Sequence, residues 1–252
     1  MIDYKETRDN LVTQLKNFVG EKAAIVGVSG GIDSAVILKL CRFALTNPQI
    51  VPVILPYGDQ GTEDSIEMIE SLNPRVVSYT VNIKPMVDAI VEGLPTFYNK
   101  EEVMRLVIGN IKARVRMTVL YGFAGMRDGL VIGTGNKTEI EIGYCTKYGD
   151  GGVDVEPIGD LYKHEVSILA KVIGVIDKII YKAPSAELWD GQTDEEELGL
   201  TYSEIDYILM NYGQMTSFSL TDKMIEDLAK VKNLMAGSEH KRNTPPIFKV
   251  DR

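Results

Sequence analysis

Ser29-Gly30-Gly31-Ile32-Asp33-Ser34 puts hydroxyls, glycines and a carboxylate side by side. An apolar run over residues 23–28 precedes it. A helical pattern from residue 33 to about residue 45 follows, so the segment reads as strand, turn and helix start. Such a junction is an anion site. The first N–H groups of a helix have no partner within it, and its dipole favours negative charge there. Gly30 and Gly31 let backbone approach a ligand closely, while Ser29 and Ser34 add hydroxyl donors. Asp33 alone would repel a phosphate. It belongs in the loop if Mg²⁺ bridges the two, since that ion is usually held by one or two carboxylates together with phosphate oxygens. No lysine follows Gly31, which excludes a Walker A ending. The plain alternative is a glycine turn without a ligand.

These residues need a scaffold. Apolar periodicity predicts a helix over residues 4–19 and strands over 50–55, 75–81 and 129–133. Helices are expected over 64–72, 83–92 and, longest of all, 101–127. Strand and helix alternate, which implies an α/β protein: one doubly wound parallel-sheet domain over residues 1–252, with helices on both faces. In such sheets ligands bind outside the carboxyl ends of the strands. The glycine loop, then Tyr57 and Gln60, then Thr134 all follow strands, so they share that edge.

Further on, Gly149 to Gly152 must turn tightly, and helices are expected over 161–173, 202–211 and 221–234. Residues 183–199 read as a mobile segment, a candidate lid, or equally as a solvated acidic loop. On the long helix, Val103, Val107, Ile111, Val115 and Thr118 form a stripe suited to the sheet. Leu106, Asn110, Met117 and Tyr121 form a second face beside Arg114.

Composition narrows the function. Over 252 residues, 44% are hydrophobic and 25% charged, as in an ordinary globular chain. A net charge of −9 argues against nucleic acid as a partner, so any anionic ligand must be met by lysines and arginines gathered locally. The two cysteines, Cys41 and Cys145, make neither a disulfide framework nor a zinc pattern, and Cys41 falls in a helix core. The polar N-terminus is no signal peptide and no apolar run has membrane-spanning length, so the expectation is a cytoplasmic enzyme without a membrane partner.

The loop resembles the pyrophosphate loop of the N-type ATP pyrophosphatases, which cleave ATP between its α- and β-phosphates and leave AMP. Four more blocks follow in order: residues 110–117 (Asn-Ile-Lys-Ala-Arg-Val-Arg-Met), Gly133-Thr134 with Glu139, residues 146–154 (Thr-Lys-Tyr-Gly-Asp-Gly-Gly-Val-Asp), and Glu239-His240-Lys241-Arg242. With them the chain resembles the ammonia-dependent NAD synthetases from its first strand to its C-terminus. The block at 146–154 is the most specific.

The resemblance implies an adenine-nucleotide hydrolase-like, Rossmann-like fold and a ligase acting on deamido-NAD (nicotinic acid adenine dinucleotide). A carboxylate repels nucleophiles and has a poor leaving group. In this family it attacks the α-phosphate of ATP, giving an acyl-adenylate and pyrophosphate, and ammonia then displaces AMP. ATP would lie on Gly27, Val28, Ser29, Gly30, Gly31, Ile32, Asp33, Ser34, Gln60, Thr134, Lys163 and Ser185. Mg²⁺ would be held by Asp33 and Glu139. Deamido-NAD would meet Arg114, Lys147, Asp154, His240 and Lys241. Asp33, Lys163 and Asp150 would be catalytic, Lys163 at the reacting phosphate and Asp150 beside the incoming ammonia. Without the resemblance, Glu139 and Lys163 read as surface helix residues and Asp150 as a turn former.

Two departures stand out. Ser185 replaces a common threonine, and Ile54 stands where bacterial relatives can carry an arginine. The resemblance also implies a homodimer with deamido-NAD near the subunit seam. It implies ammonia as nucleophile, because no appended glutaminase domain is expected and Cys145 has no amidase signature. A tRNA thiolase or GMP synthetase is disfavoured by the lack of paired cysteines or a basic patch. A nucleotide sensor would not need Asp33, Glu139, Lys163 and Asp150 together.

Overall fold

The computed structural model describes residues 2–95, 101–185, 189, 191–212 and 221–250. α1 (Tyr4–Val19) begins at Asp3, whose carboxylate accepts from the Lys5 and Glu6 amides, and ends at Gly20 with φ 58°. β1 (Ala23–Gly27) leads into α2 (Ile32–Ala44), β2 (Ile50–Ile54), α3 (Glu63–Glu70) and β3 (Tyr79–Thr80). α4 (Lys84–Gly93), α5 (Glu101–Arg127) and β4 (Gly129–Ile132) complete the sheet layer. Then come α6 (Lys137–Ile142), α7 (Lys163–Val172), α8 (Asp177–Ile180), α9 (Asp194–Leu198), α10 (Tyr202–Asn211), α11 (Asp222–Gly237) and α12 (Glu239–Arg242).

The strands are all parallel, in the order β3-β2-β1-β4. A strand buried on both faces must be apolar at every position, and β1 is. Ala24 and Val26 pack with Leu15 of α1, Leu38 and Cys41 of α2 and Leu169 of α7. Ala23 and Ile25 face the other way, under Val87 of α4 and Val115 and Ala124 of α5. Helices therefore cover both faces, as the apolar runs implied. A third apolar cluster joins Ile142 of α6, Ile205 and Leu209 of α10 and Val231 of α11. Among the described residues, no helix is long and apolar enough to cross a membrane.

The order places a switch point beside β1: the chain leaves it toward β2 and β3, then returns to its other side as β4. The crevice at such a point is where open parallel sheets bind ligands. The turns after β1 and β4 flank it. Val155 makes an isolated parallel bridge to Ile132 on the far side of β4, with Gly133 N–H donating to Val155 O at 2.8 Å and Asp154 N–H to Val131 O at 3.0 Å.

Several expectations are corrected. The third strand pairs only at Tyr79 and Thr80, not over 75–81, because it lies at the sheet edge and meets β2 only at Val53 and Ile54. Most other boundaries shift by one to three residues, the usual uncertainty of helix ends. The acidic run expected to be mobile or solvated forms α9, with Gln192 and Asp194 buried. Residues 186–188 and 190 of that segment lie outside the described residues. On α5, Thr118 is exposed rather than on the sheet. Asn110 and Met117 turn inward: Asn110 Oδ1 accepts from Thr146 Oγ1 at 2.8 Å, and Met117 packs on Gly152. The outward face of α5 is instead Arg114, Thr118, Tyr121, Gly122, Gly125 and Met126.

Candidate active site

The glycine loop after β1 is knitted by its own hydroxyls. Ser34 Oγ donates to Gly31 O at 2.9 Å, Gly31 N–H donates to Ser29 Oγ at 3.2 Å, and Ser29 N–H reaches Ser34 Oγ at 3.3 Å. Gly31 caps α2 without a side-chain acceptor, which leaves the first amides of the helix open to a ligand. Gly30 has φ 81°, and a Cβ there would lie 2.8 Å from Asp64 Cβ, so both conformation and space demand glycine.

Against this loop lies a buried ion cluster. Lys163 Nζ donates to Asp33 Oδ2 at 2.6 Å and to Glu139 Oε1 at 3.0 Å. The lysine side chain is only 8% exposed. Burial works against its charge, but Asp33 and Glu139 outweigh that and hold the ammonium above its ordinary range. Burial pushes the Glu139 carboxyl up, Asp33 adds to the rise, and Lys163 opposes it. Asn136, fully buried, ties the carboxylates together. It donates to Asp33 Oδ1 at 3.0 Å and, as N-cap of α6, accepts from the Glu139 amide at 3.0 Å. Tyr202 completes the cage. Its hydroxyl lies 3.3 Å from Glu139 Oε1 and 3.1 Å from Asp194 Oδ2, and its ring centroid 4.8 Å from Lys163 Nζ.

This donor set fits Mg²⁺. Two carboxylates from different elements converge on one cationic point beside an anion loop. Among the described residues no group of three or more acidic, histidine or cysteine side chains forms a cage that could hold an ion unaided. An ion bound partly through phosphate oxygens needs only such a pair.

A cleft of about 520 Å³ opens over the cluster, within the range of small-molecule sites. It is lined by residues 27–29 and 31–34, by Gln60, Thr134, Glu139, Asp150, Lys163, Ser185 and Lys241, and by the inner side of α5. Gln60 Oε1 accepts from the Tyr57 amide and from Arg116, and Ser185 Oγ donates to Gln192 O. Asp150 accepts from Thr146 N–H at 2.9 Å. Desolvation by the surrounding protein pushes its carboxyl up, while the Thr146 and Asp150 amides and the Lys241 ammonium pull it down.

The dinucleotide candidates form two groups. Arg114 Nε donates to Lys147 O, and Lys147 Nζ to His240 O, so these three gather at one rim. Lys241 instead bonds backbone, and Asp154 bonds backbone and the Tyr121 hydroxyl. Lys241 donates to Gly143 O and Cys145 O, each at 2.7 Å, and Asp154 accepts from the Val131 amide at 2.7 Å. Cys145 also lines the cleft, but burial, with Asp150, pushes its thiol up to about 11, unlike an activated nucleophile.

Sequence reasoning missed Asn136, Tyr202, Arg116 and Glu156. Asn136 had a local signal, the Asn-x-x-Glu spacing of a capping box. Arg116, inside a quoted block, donates to Leu55 O at 3.1 Å. Tyr202 and Glu156 had none. Glu156 presses its carboxylate over the turn carrying Thr134, accepting from Gly135 N–H at 2.8 Å. A Cβ at Gly133 would fall 2.3 Å from Glu156 Oε2.

A phosphate loop at the switch point of a parallel sheet, facing a buried lysine and paired carboxylates, is the architecture of an α/β nucleotide-binding enzyme. Residues 4–245 match the family described as NAD synthase. The chain is 42% identical to an NH3-dependent NAD(+) synthetase of Saccharolobus solfataricus, covering 99% of this chain and 91% of that protein. A solved structure titled NMN synthetase, from Francisella tularensis, superposes with a TM-score of 0.85 at 36% identity, over 99% of this chain and 100% of that one. An NH3-dependent NAD synthetase from Campylobacter jejuni superposes at 0.80 with 26% identity, over 98% and 100%. The chain belongs to the NAD synthase family.

Glu156 yields a pH prediction. Burial first, then the nearby carboxylates, push its pKa from 4.5 to about 8. Below 4.5 the folded and unfolded chains both hold the proton. Between 4.5 and about 8 only the folded chain holds it, so stability falls as pH rises through that window. Glu156→Gln keeps an oxygen for the Gly135 amide and has no charge to bury. Thermal melts should show the variant gaining on wild type as pH climbs from about 5 to about 8. Parallel pH profiles would contradict this.

Proposed function

We propose that this chain makes NAD from deamido-NAD, ATP and ammonia, releasing AMP and pyrophosphate, with residues 1–252 as one synthetase domain. The observation that carries the reading is Lys163 buried between Asp33 and Glu139 beside the phosphate loop. The nicotinate carboxylate attacks the α-phosphate of ATP; the bond to the β-phosphate breaks, and pyrophosphate leaves with the electron pair. Charge grows on the phosphoryl oxygens in that step. The open amides of α2, Ser29 and Ser34 hold the leaving phosphates, and the fixed Lys163 ammonium stabilises the reacting one. Asp33 and Glu139 would hold Mg²⁺, which neutralises phosphate charge when bound. Gly27, Val28, Gly30, Gly31 and Ile32 shape the ATP wall, with Gln60, Thr134 and Ser185 around it. Asp150 binds ammonium at the cleft and takes a proton, because only the free amine has a lone pair for the carbonyl. Nitrogen adds, the acyl–oxygen bond breaks, and AMP departs. Arg114, Lys147 and His240 hold deamido-NAD at the rim, Lys241 supports that rim through the carbonyls of Gly143 and Cys145, and Asp154, held by the Val131 amide and the Tyr121 hydroxyl, offers a further contact. A cytoplasmic setting, with no nucleic acid or membrane partner, belongs to the same reading.

A second reading rests on the Francisella protein, whose title names NMN. The same adenylation applied to nicotinic acid mononucleotide would give NMN. Purified protein should be given ATP, Mg²⁺ and ammonium with each acid in turn. NAD and AMP forming from deamido-NAD, faster than any product from the mononucleotide, supports the first reading; the reverse order supports the second. ADP in place of AMP, or equal synthesis with glutamine in ammonium-free buffer, overturns the proposed chemistry.

Assembly as a homodimer is part of the proposal. The outward face of α5 carries Thr118, Gly122, Gly125, Tyr121 and Met126, with open space around both glycines and Met126 72% exposed. Arg114 lies on the same face, so a second copy packed there would set the dinucleotide rim near the seam. Gly125→Glu puts a charge on this face without weakening the helix, since glycine is the poorer helix former. Sedimentation should show a wild-type dimer and a variant shifted toward monomer. A wild-type monomer would contradict the assembly.

A further inference from the structure

Asp206 of α10 is a buried carboxylate, 2% exposed, that takes no part in the chemistry above. One of its oxygens accepts from the Thr138 hydroxyl. The other accepts from the His164 amide at 2.9 Å and lies 2.8 Å from His164 Nδ1. Thr138 Oγ1 in turn accepts from the Lys163 amide at 3.0 Å. Thr138 is the residue before Glu139, and His164 is the residue after Lys163. The first amides of α7 have no partner within their own helix, and here they are satisfied by side chains from two other helices.

α10 touches the same two site residues a second time. Tyr202 lies one turn before Asp206, so both project from one face of the helix. Tyr202 meets the Glu139 carboxylate and the Lys163 ammonium at their tips; Asp206 meets the segments that carry them at the backbone. One helix face thus holds both ends of the two side chains. A shift of α6 against α7 would change the separation of Glu139 and Lys163, and a misplacement of about 1 Å can lower a rate about a hundredfold.

We propose that Asp206 is a positioning residue: with Thr138 as bridge, it fixes the spacing of Glu139 and Lys163 and thereby sets the rate of adenylation. This rests on the roles assigned to those two residues in the proposed function. It makes the Thr138 hydroxyl, which touches no substrate, a requirement for turnover.

The test uses the full chain. Thr138→Val keeps the shape and removes the hydroxyl; Thr138→Ser keeps the hydroxyl and removes the methyl. Asp206→Asn is the partner variant. Loss of a group that orients a site ligand typically lowers activity by about 10- to 100-fold, and that fall in kcat is expected for Thr138→Val, with KM for deamido-NAD unchanged. Thr138→Ser should restore kcat, and Asp206→Asn should fall in the same direction as Thr138→Val. ATP affinity, read by calorimetry on the same proteins, should drop for Thr138→Val and recover for Thr138→Ser. Wild-type kcat and ATP affinity in Thr138→Val would overturn the proposal, as would equal losses in Thr138→Val and Thr138→Ser. If wild type forms no AMP from either acid, the functional reading fails separately, and the calorimetry still decides whether Asp206 and Thr138 organise the ATP site.

Discussion

The ammonium of Lys163, held between Asp33 and Glu139, is the contact on which the rest of the site depends. It joins three elements distant in sequence: the start of α2, α6, and the start of α7. Charges this well buried carry a large desolvation penalty, which only close pairing and further hydrogen bonds offset. Asn136 and Tyr202 supply those bonds. Such a cluster is weak evidence for stability, because well-packed apolar groups could fill the space as well. Its value lies in placing one positive and two negative groups beside a glycine loop at the open N-terminus of α2.

The sheet makes that placement possible. β1 is central, and the turns after β1 and β4 flank the switch point, so the phosphate loop and the Thr134 turn face each other across it. The turn after β4 then starts α6 through the Asn136 cap. Glu156 presses on that turn from the strand-like segment beyond β4, at a cost that grows with pH. The C-terminal helices form their own apolar cluster and reach the site through α10. The cleft is thus built from two packed bodies of side chains meeting along α6 and α7.

What could be read in advance was local. β1 and β2 showed as unbroken apolar runs because helices bury both their faces, and the phosphate loop showed because its hydroxyls, glycines and carboxylate are contiguous. Where burial is one-sided, the pattern misled. Residues 75–81 carry strand-forming types, yet only Tyr79 and Thr80 pair, because the segment meets the sheet only at its edge. The acidic stretch near Asp194 looked like solvated chain, but its carboxylate is bonded by Tyr144, just past the end of α6, and by Tyr202 of α10. Asp206 and Glu156 were invisible for the same reason: their partners lie 42 or 68 and 21 residues away. Lys163 and Glu139 were singled out only through the family resemblance, since nothing in their own helices separates them from surface residues.

Calorimetric titration of ATP tests most directly whether Asp33 and Glu139 serve a divalent ion beside the phosphates. Wild type and Asp33→Asn are each titrated with and without Mg²⁺. Wild type should bind ATP much more tightly with the ion present, whereas Asp33→Asn should bind with nearly the same affinity in either condition. An Asp33→Asn variant whose ATP affinity still rises with Mg²⁺ as steeply as that of wild type would contradict the account.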